Sequence, residues 1–246
     1  MKLLLTGVTG AAGCQIFREA VTDPAVTSIT ILSRRALPDW LTKSIPENDK
    51  TNTVIVDDFL KYPANLPPKL AAHDACIWAL GCSSVGKSEE EYTKITYNYV
   101  THIIAALGEV AKTRVDSEPF RFVFVSAAGA DPTKSSSKAM YGRIKRETEL
   151  YLLNLPVESR IRPIILRPGY FYPEDPNIAK QTRSTAERAL SVALRPLVSN
   201  FWSSNYIPTQ EIGQFAMKAA KGSWGGSEQI FNNNRMRELL RGQEAS

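Results

Sequence analysis

Cysteine and histidine are scarce in this 246-residue chain: Cys14, Cys76 and Cys82, with His73 and His102, are the whole supply. Three irregularly spaced thiols exclude a disulfide framework, and too few ligands remain for a zinc or multi-histidine centre, so no metal is expected. A reducing compartment follows. Long apolar runs are also missing, since no stretch approaches the roughly 20 unbroken apolar residues that cross a bilayer. With a first strand expected from residue 2 or 3, no cleavable leader is expected; the reading is a cytoplasmic or peripherally attached chain, not a secreted one. Dense blocks of one charge are absent too. The net charge is +5, yet Lys and Arg are scattered, so nucleic acid is not an expected partner and a small anion accounts for the surplus.

What is present is an alternation of buried-strand and helix patterns, with 43% hydrophobic residues, an ordinary globular balance. Apolar runs rich in β-branched or aromatic residues recur at Leu3–Leu5, Ser28–Leu32, Thr53–Val56, Ala75–Leu80, Phe120–Val125 and Ile161–Leu166. Near-continuous apolarity marks strands covered on both faces. Between them lie helix-like stretches such as Glu89–Lys112, where Ile95, Tyr99, Ile103 and Leu107 recur every fourth residue. The pattern predicts a doubly wound parallel α/β sheet, a Rossmann fold, with right-handed crossovers. No repeat or linker divides it, so residues 1–246 read as one domain, with 170–225 forming most of a small C-terminal lobe. In that lobe a helix is expected from Ile178 to Leu194, and a second one capped by Thr209 with Ile212, Phe215, Ala216 and Ala219 on its apolar face.

Ligands of such a sheet bind beyond the carboxyl ends of its strands. After the first strand comes TGVTGAAG, in which Gly7, Gly10 and Gly13, with Thr9, Ala11 and Ala12 between them, sit at a strand-to-helix turn. Small residues there let backbone N–H groups approach a phosphate, and the helix N-terminus is electrostatically positive. G-x-x-G-x-x-G is a near variant of the dinucleotide fingerprint; glycines needed only for a tight turn are the bland alternative. After the second strand come Ser33, Arg34 and Arg35. An acid there would accept the ribose hydroxyls of NAD, whereas a base accommodates the extra phosphate of NADP, so NADP(H) is favoured over NAD(H).

The chemistry-bearing stretch is FVFVSAAGADPTKSSSKAMYGRIKRETE. Tyr141 and Lys145, four apart on a helical segment, share one face, and Ser126 ends the preceding strand. Ser135, Ser136 and Ser137 are rival serines in a polar loop. Here the sequence resembles the short-chain dehydrogenase/reductase family over about its first 170 residues. The stretches TGVTGAAG, ALG, SAAGAD with YGRIK, and LRPGY bring it near an atypical branch that includes human tumour-suppressor-like reductases and fungal mitochondrial relatives.

The resemblance implies an NADP-dependent oxidoreductase that reduces a small carbonyl substrate. Tyr141 would be the acid/base and Lys145 the cation that lowers its pKa and holds the nicotinamide ribose. Ser126 would donate to the substrate oxygen, and Asn98 would support the lysine. It also implies cofactor contacts from Asp58 or Asp57 to the adenine, from the backbone of Leu80 and Gly81 to the ribose, and from Pro168, Gly169 and Tyr170 beside the nicotinamide with Arg167 beneath. The other class of function is a cofactor-binding regulatory protein with little turnover. The fungal resemblance adds peripheral contact with the mitochondrial outer membrane, through the basic RMRELLRGQ or the pair Phe201 and Trp202. A homodimer is left open, and the substrate lies beyond any motif.

Overall fold

Among the described residues seven segments form strands: β1 Lys2–Thr6, β2 Ser28–Ser33, β3 Thr51–Ile55, β4 Ala75–Trp78, β5 Phe120–Val125, β6 Ile161–Arg167 and β7 Ile230–Asn232. They pair in parallel throughout, in the order β3-β2-β1-β4-β5-β6-β7. The computed structural model describes all residues except 71, 112–117, 186, 189–204, 225 and 245–246. Parallel neighbours need crossovers. The helices are α1 Ala11–Thr22, α2 Asp39–Thr42, α3 Leu66–Leu70, α4 Glu89–Thr93, α5 Tyr99–Ala111, α6 Met140–Leu153, α7 Pro176–Thr182, α8 Thr209–Lys221 and α9 Asn233–Glu244.

Successive strand residues point to opposite faces, and the core divides accordingly. Leu3, Leu5, Ile29, Ile31, Val123 and Leu166 pack with α1, α8 and α9, whereas Leu4, Leu32, Trp78, Phe122 and Phe124 pack with α5 and the end of α6. Each buried Phe of β5 contributes roughly 1.5–3 kcal/mol over an exposed one. A stiff sheet results, with its carboxyl edge free to carry chemistry.

Four expectations meet corrections. β3 is an edge strand with exposed Asn52 and Ile55, so its apolarity is not the sign of cover on both faces. The expected single helix over Glu89–Lys112 is interrupted by a π-helical turn, Lys94–Asn98, between α4 and α5. Thr209 is the first residue of α8 rather than its cap; Pro208 occupies that position, although Ile212, Phe215, Ala216 and Ala219 are buried as read. The expected helix Ile178–Leu194 begins earlier, with Pro176 following the capping Asp175, and α7 ends at Thr182; residues 189–194 lie outside those described.

Candidate active site

The cleft opens where the sheet order reverses, β1 lying between β2 and β4. Gly7 leaves β1 with φ +70°, and a Cβ there would stand 2.4 Å from the Ala79 carbonyl carbon and oxygen. Only glycine combines that conformation with so close an approach to the chain after β4. Leu80 N–H donates to Thr6 Oγ1 at 3.3 Å, which fixes the second wall. Gly10 N–H closes the turn onto the Gly7 carbonyl at 2.9 Å, and a Cβ on Gly13 would fall 2.0 Å from that same oxygen.

α1 then starts with Gly10 as its cap, no capping side chain and no acid in the first turn. The N–H groups of Ala11, Ala12 and Gly13 precede the first helical bond, Cys14 N–H to the Gly10 carbonyl at 2.8 Å. Those donors, with the positive end of the helix dipole, suit a phosphate. The cleft measures about 530 Å³ and is lined by Gly7, Thr9, Gly10, Ser33, Arg34, Arg35, Leu80 and Gly81, with Val8, Leu32, Ala36, Pro38 and Ala79 completing it. Ser33 shapes its outer rim: the Ser33 hydroxyl donates to the Arg35 carbonyl at 2.7 Å. Arg34 and Arg35 are exposed, and neither forms a salt bridge with a described residue. Asp57 and Asp58 stand apart. Asp57 is exposed, Asp58 Oδ1 accepts from Leu60 N–H at 3.0 Å, and neither lines this cleft.

The second half of the site stands on α6. The Tyr141 ring packs on Gly129, where a Cβ would come within 2.9 Å of the phenol oxygen. One turn on, Lys145 Nζ donates to the Val125 carbonyl at 3.2 Å and lies 5.3 Å from the Phe124 ring centroid. Burial pushes the Lys145 ammonium down to about 8, against the opposing charge of Glu149. Glu149, a further turn along, is itself buried. Arg167 grips it through Nε at 3.0 Å and Nη2 at 2.6 Å. The Ser126 hydroxyl donates to Glu149 Oε1. Ser126 is therefore engaged by a carboxylate, and no hydrogen bond joins it to Tyr141 among the described residues.

Asn98 closes the π-helical turn; its carbonyl accepts from Thr101 Oγ1 at 2.9 Å and approaches His102 Nδ1 at 2.7 Å. The same turn meets α6 where the Thr148 hydroxyl donates to the Thr96 carbonyl at 3.4 Å. Among the described residues no hydrogen bond links the Asn98 side chain to Lys145, whose ammonium donates to the Val125 carbonyl instead. The loop after β6 is pinned on two sides: Ala128 N–H donates to the Pro168 carbonyl at 2.8 Å, and Gly169 N–H donates to Asn233 Oδ1 at 2.9 Å. Beside it, a polar cavity of about 210 Å³ is lined by Ala128, Asp131, Lys134, Arg167, Asn205 and Asn232–Asn234.

Sequence reasoning missed Glu149 and Asn233. Glu149 was within reach, since Tyr141, Lys145 and Glu149 fall at successive i, i+4 positions; Asn233 carries no such pattern. Two of the scarce Cys and His side chains are structural: buried His73 bridges Leu70 and Thr30, and burial pushes the Cys14 thiol up to about 11. Of the basic C-terminal segment, Arg235 pairs with Glu228 and Glu238, and Arg237 with Glu211. Phe201 and Trp202 lie outside the described residues. Among the described residues no helix is long and apolar enough to cross a membrane, and no cluster of three metal-ligating side chains occurs.

No protein-family model matches the chain. It is 30% identical over 172 residues to "Protein FMP52, mitochondrial" of Candida albicans, covering 69% of this chain and 66% of that protein. It is 31% identical over 170 residues to the protein of the same name from Emericella nidulans, covering 68% and 66%. The chain thus spans just under two thirds of the length of these curated relatives. Among solved structures, a short-chain dehydrogenase from Burkholderia cenocepacia in complex with NADP superposes with a TM-score of 0.63 at 13% identity, covering 100% of this chain and 95% of that one.

Proposed function

This chain belongs to the atypical short-chain dehydrogenase/reductases with fungal mitochondrial relatives, and from that premise we propose that it is an NADP-dependent reductase of a small carbonyl compound. The observation that carries the reading is the pairing of an uncapped α1 N-terminus, at one end of the cleft, with Tyr141 and a desolvated Lys145 on one face of α6. The fold is shared with a solved short-chain dehydrogenase, and its likeness supports the oxidoreductase class as part of this reading. The cofactor's phosphates, the acid and the substrate are argued from this chain's residues.

The N–H groups of Ala11, Ala12 and Gly13 would hold the pyrophosphate, and Arg34 with Arg35 the 2′-phosphate that distinguishes NADP from NAD. The Pro168–Gly169 loop, fixed by Ala128 and Asn233, would position the ring face, and bound nicotinamide supplies the hydride. Tyr141 would give its phenolic proton to the carbonyl oxygen. A phenol ordinarily holds its proton to pH 10, so the phenolate left behind requires a cation nearby, and the Lys145 ammonium one turn away meets that need. Water access to the lysine is limited because its ammonium sits under Val125 and Phe124. The polar cavity beside Arg167 and Asn232–Asn234 favours a substrate with hydrogen-bonding groups over a purely apolar ketone.

The test is NADPH oxidation by the purified chain across aldehydes, ketones and quinones, with Tyr141→Phe alongside. Turnover that falls at least ~100-fold in the variant, the scale of a lost acid/base group, is the expected result. Saturable NADPH binding without turnover in either protein would replace the reductase with a cofactor-binding regulator. The mitochondrial names of the fungal relatives extend the proposal to a mitochondrial location, which subcellular fractionation in the source cells would check.

A further inference from the structure

The reading of Tyr141 and Lys145 leaves one buried ionisable cluster without a role. Glu149 is 1% exposed, and a carboxylate so deep is retained only where partners compensate its desolvation. Its partners come from two strand ends, Ser126 after β5 and Arg167 of β6, while its own helix presents Lys145 one turn earlier. We propose that Glu149 is a positioning residue for Lys145, a fixed counter-charge held in place by Ser126 and Arg167, and that Ser126 serves this carboxylate instead of the substrate oxygen. The inference rests on the catalytic reading given above.

Three geometric facts carry it. The i, i+4 spacing on α6 places Glu149 on the face of Lys145. Arg167 holds both carboxylate oxygens, Nε donating to Oε1 at 3.2 Å and Nη2 to Oε2 at 2.6 Å, the paired geometry that fixes a carboxylate's plane. The Ser126 hydroxyl, which a substrate-oxygen donor would have to keep free, is donated to Glu149 Oε1. The groups facing Lys145 are Glu149 on α6, the Val125 carbonyl and Phe124 ring of β5, and the Cys82 thiol after β4. Facing Glu149 are Ser126 and Arg167, with Asp131 near the guanidinium. No ion pair within 4 Å joins the two among the described residues, so the negative charge of Glu149 acts through space, favouring the protonated lysine against the burial that pushes it down.

NMR titration of ¹³C-lysine-labelled full chain reads this directly, the Lys145 resonance being assigned by its loss in Lys145→Arg. Wild type should show a midpoint near pH 8. Glu149→Gln should lower it by about 1–3 pH units, the usual effect of one neighbouring opposite charge. The alkaline limb of NADPH turnover should move to lower pH with it. If Arg167 left without its carboxylate prevents folding, Glu149→Gln/Arg167→Gln removes both charges, and the midpoint should fall by less than in the single variant, because loss of the guanidinium partly offsets loss of the carboxylate. An unchanged midpoint overturns the proposal. Ser126→Ala should keep turnover within about tenfold of wild type; a flat loss of 100-fold or more at every pH, the scale of a lost oxyanion donor, would return Ser126 to the substrate oxygen. If wild type turns over no carbonyl, the catalytic reading fails, while the titration still decides the Glu149–Lys145 coupling.

Discussion

Arg34 and Arg35 stand at the end of β2 with their charges facing water and no described carboxylate beside them. An exposed guanidinium without a partner contributes little to folding, so replacing both should leave the melting temperature within about 2 °C. Binding is a different matter if a 2′-phosphate lies between them. Arg34→Ala/Arg35→Ala should raise the NADPH dissociation constant roughly ten- to hundredfold and leave NADH within about threefold, read by cofactor fluorescence. Equal losses for both cofactors would remove the arginines from discrimination. At this scale the sequence was legible where spacing expresses geometry. Tyr141 and Lys145 are found four residues apart, and Gly7, Gly10 and Gly13 each occupy a turn that their spacing describes. It was illegible where a side chain chooses among distant partners: nothing in SAAGAD says that Ser126 will turn to Glu149, 23 residues on.

A helix start with no capping side chain is a feature of an element, not of a residue. In α1 it keeps three N–H groups ahead of the first helical bond, and no acid in the first turn competes for them. Gly10→Asp tests this, because an aspartate is an excellent cap and also a resident anion. Glycine at a cap is only a few tenths of a kcal/mol worse than aspartate, so stability should hold or rise slightly. NADPH affinity should fall at least about tenfold as the carboxylate occupies the phosphate's place, measured by calorimetric titration. Loss of affinity together with a collapse in melting temperature would point to the Cβ contact with the Gly7 carbonyl, 3.3 Å away, instead of to charge. The same scale shows why some elements escaped the sequence. β5 was read residue for residue because FRFVFV is apolar and flanked by polar loops, whereas β7 has three residues and ends in a run of asparagines. The π-helical turn preserves helical composition while shifting the register by one residue, so a four-residue periodicity through Ile95 and Tyr99 gives no warning of it.

The whole molecule feels Lys145 through its pH dependence. An unfolded lysine keeps its proton to about pH 10.5, whereas in the folded chain burial pushes Lys145 down to about 8. Between those values the unfolded chain binds the extra proton, so the lysine's contribution to stability rises with pH across that window; below about 8 its penalty is fully present. Chemical denaturation of wild type and Lys145→Met at pH 7.5 and pH 10 isolates the effect, because the buried thiols and tyrosines are common to both proteins. The difference should move in favour of wild type at the higher pH, and a pH-independent difference would remove the depressed ammonium from the account. Activity should run the other way. If Tyr141 depends on a charged Lys145, kcat/KM, which reports the free enzyme, falls as pH rises through about 8, where the ammonium loses its proton. The opposed slopes follow from one cause: a cation held under Val125 and Phe124 is costly to the fold in the form that serves the chemistry, and the sheet's two-sided core supplies the stability that tolerates it.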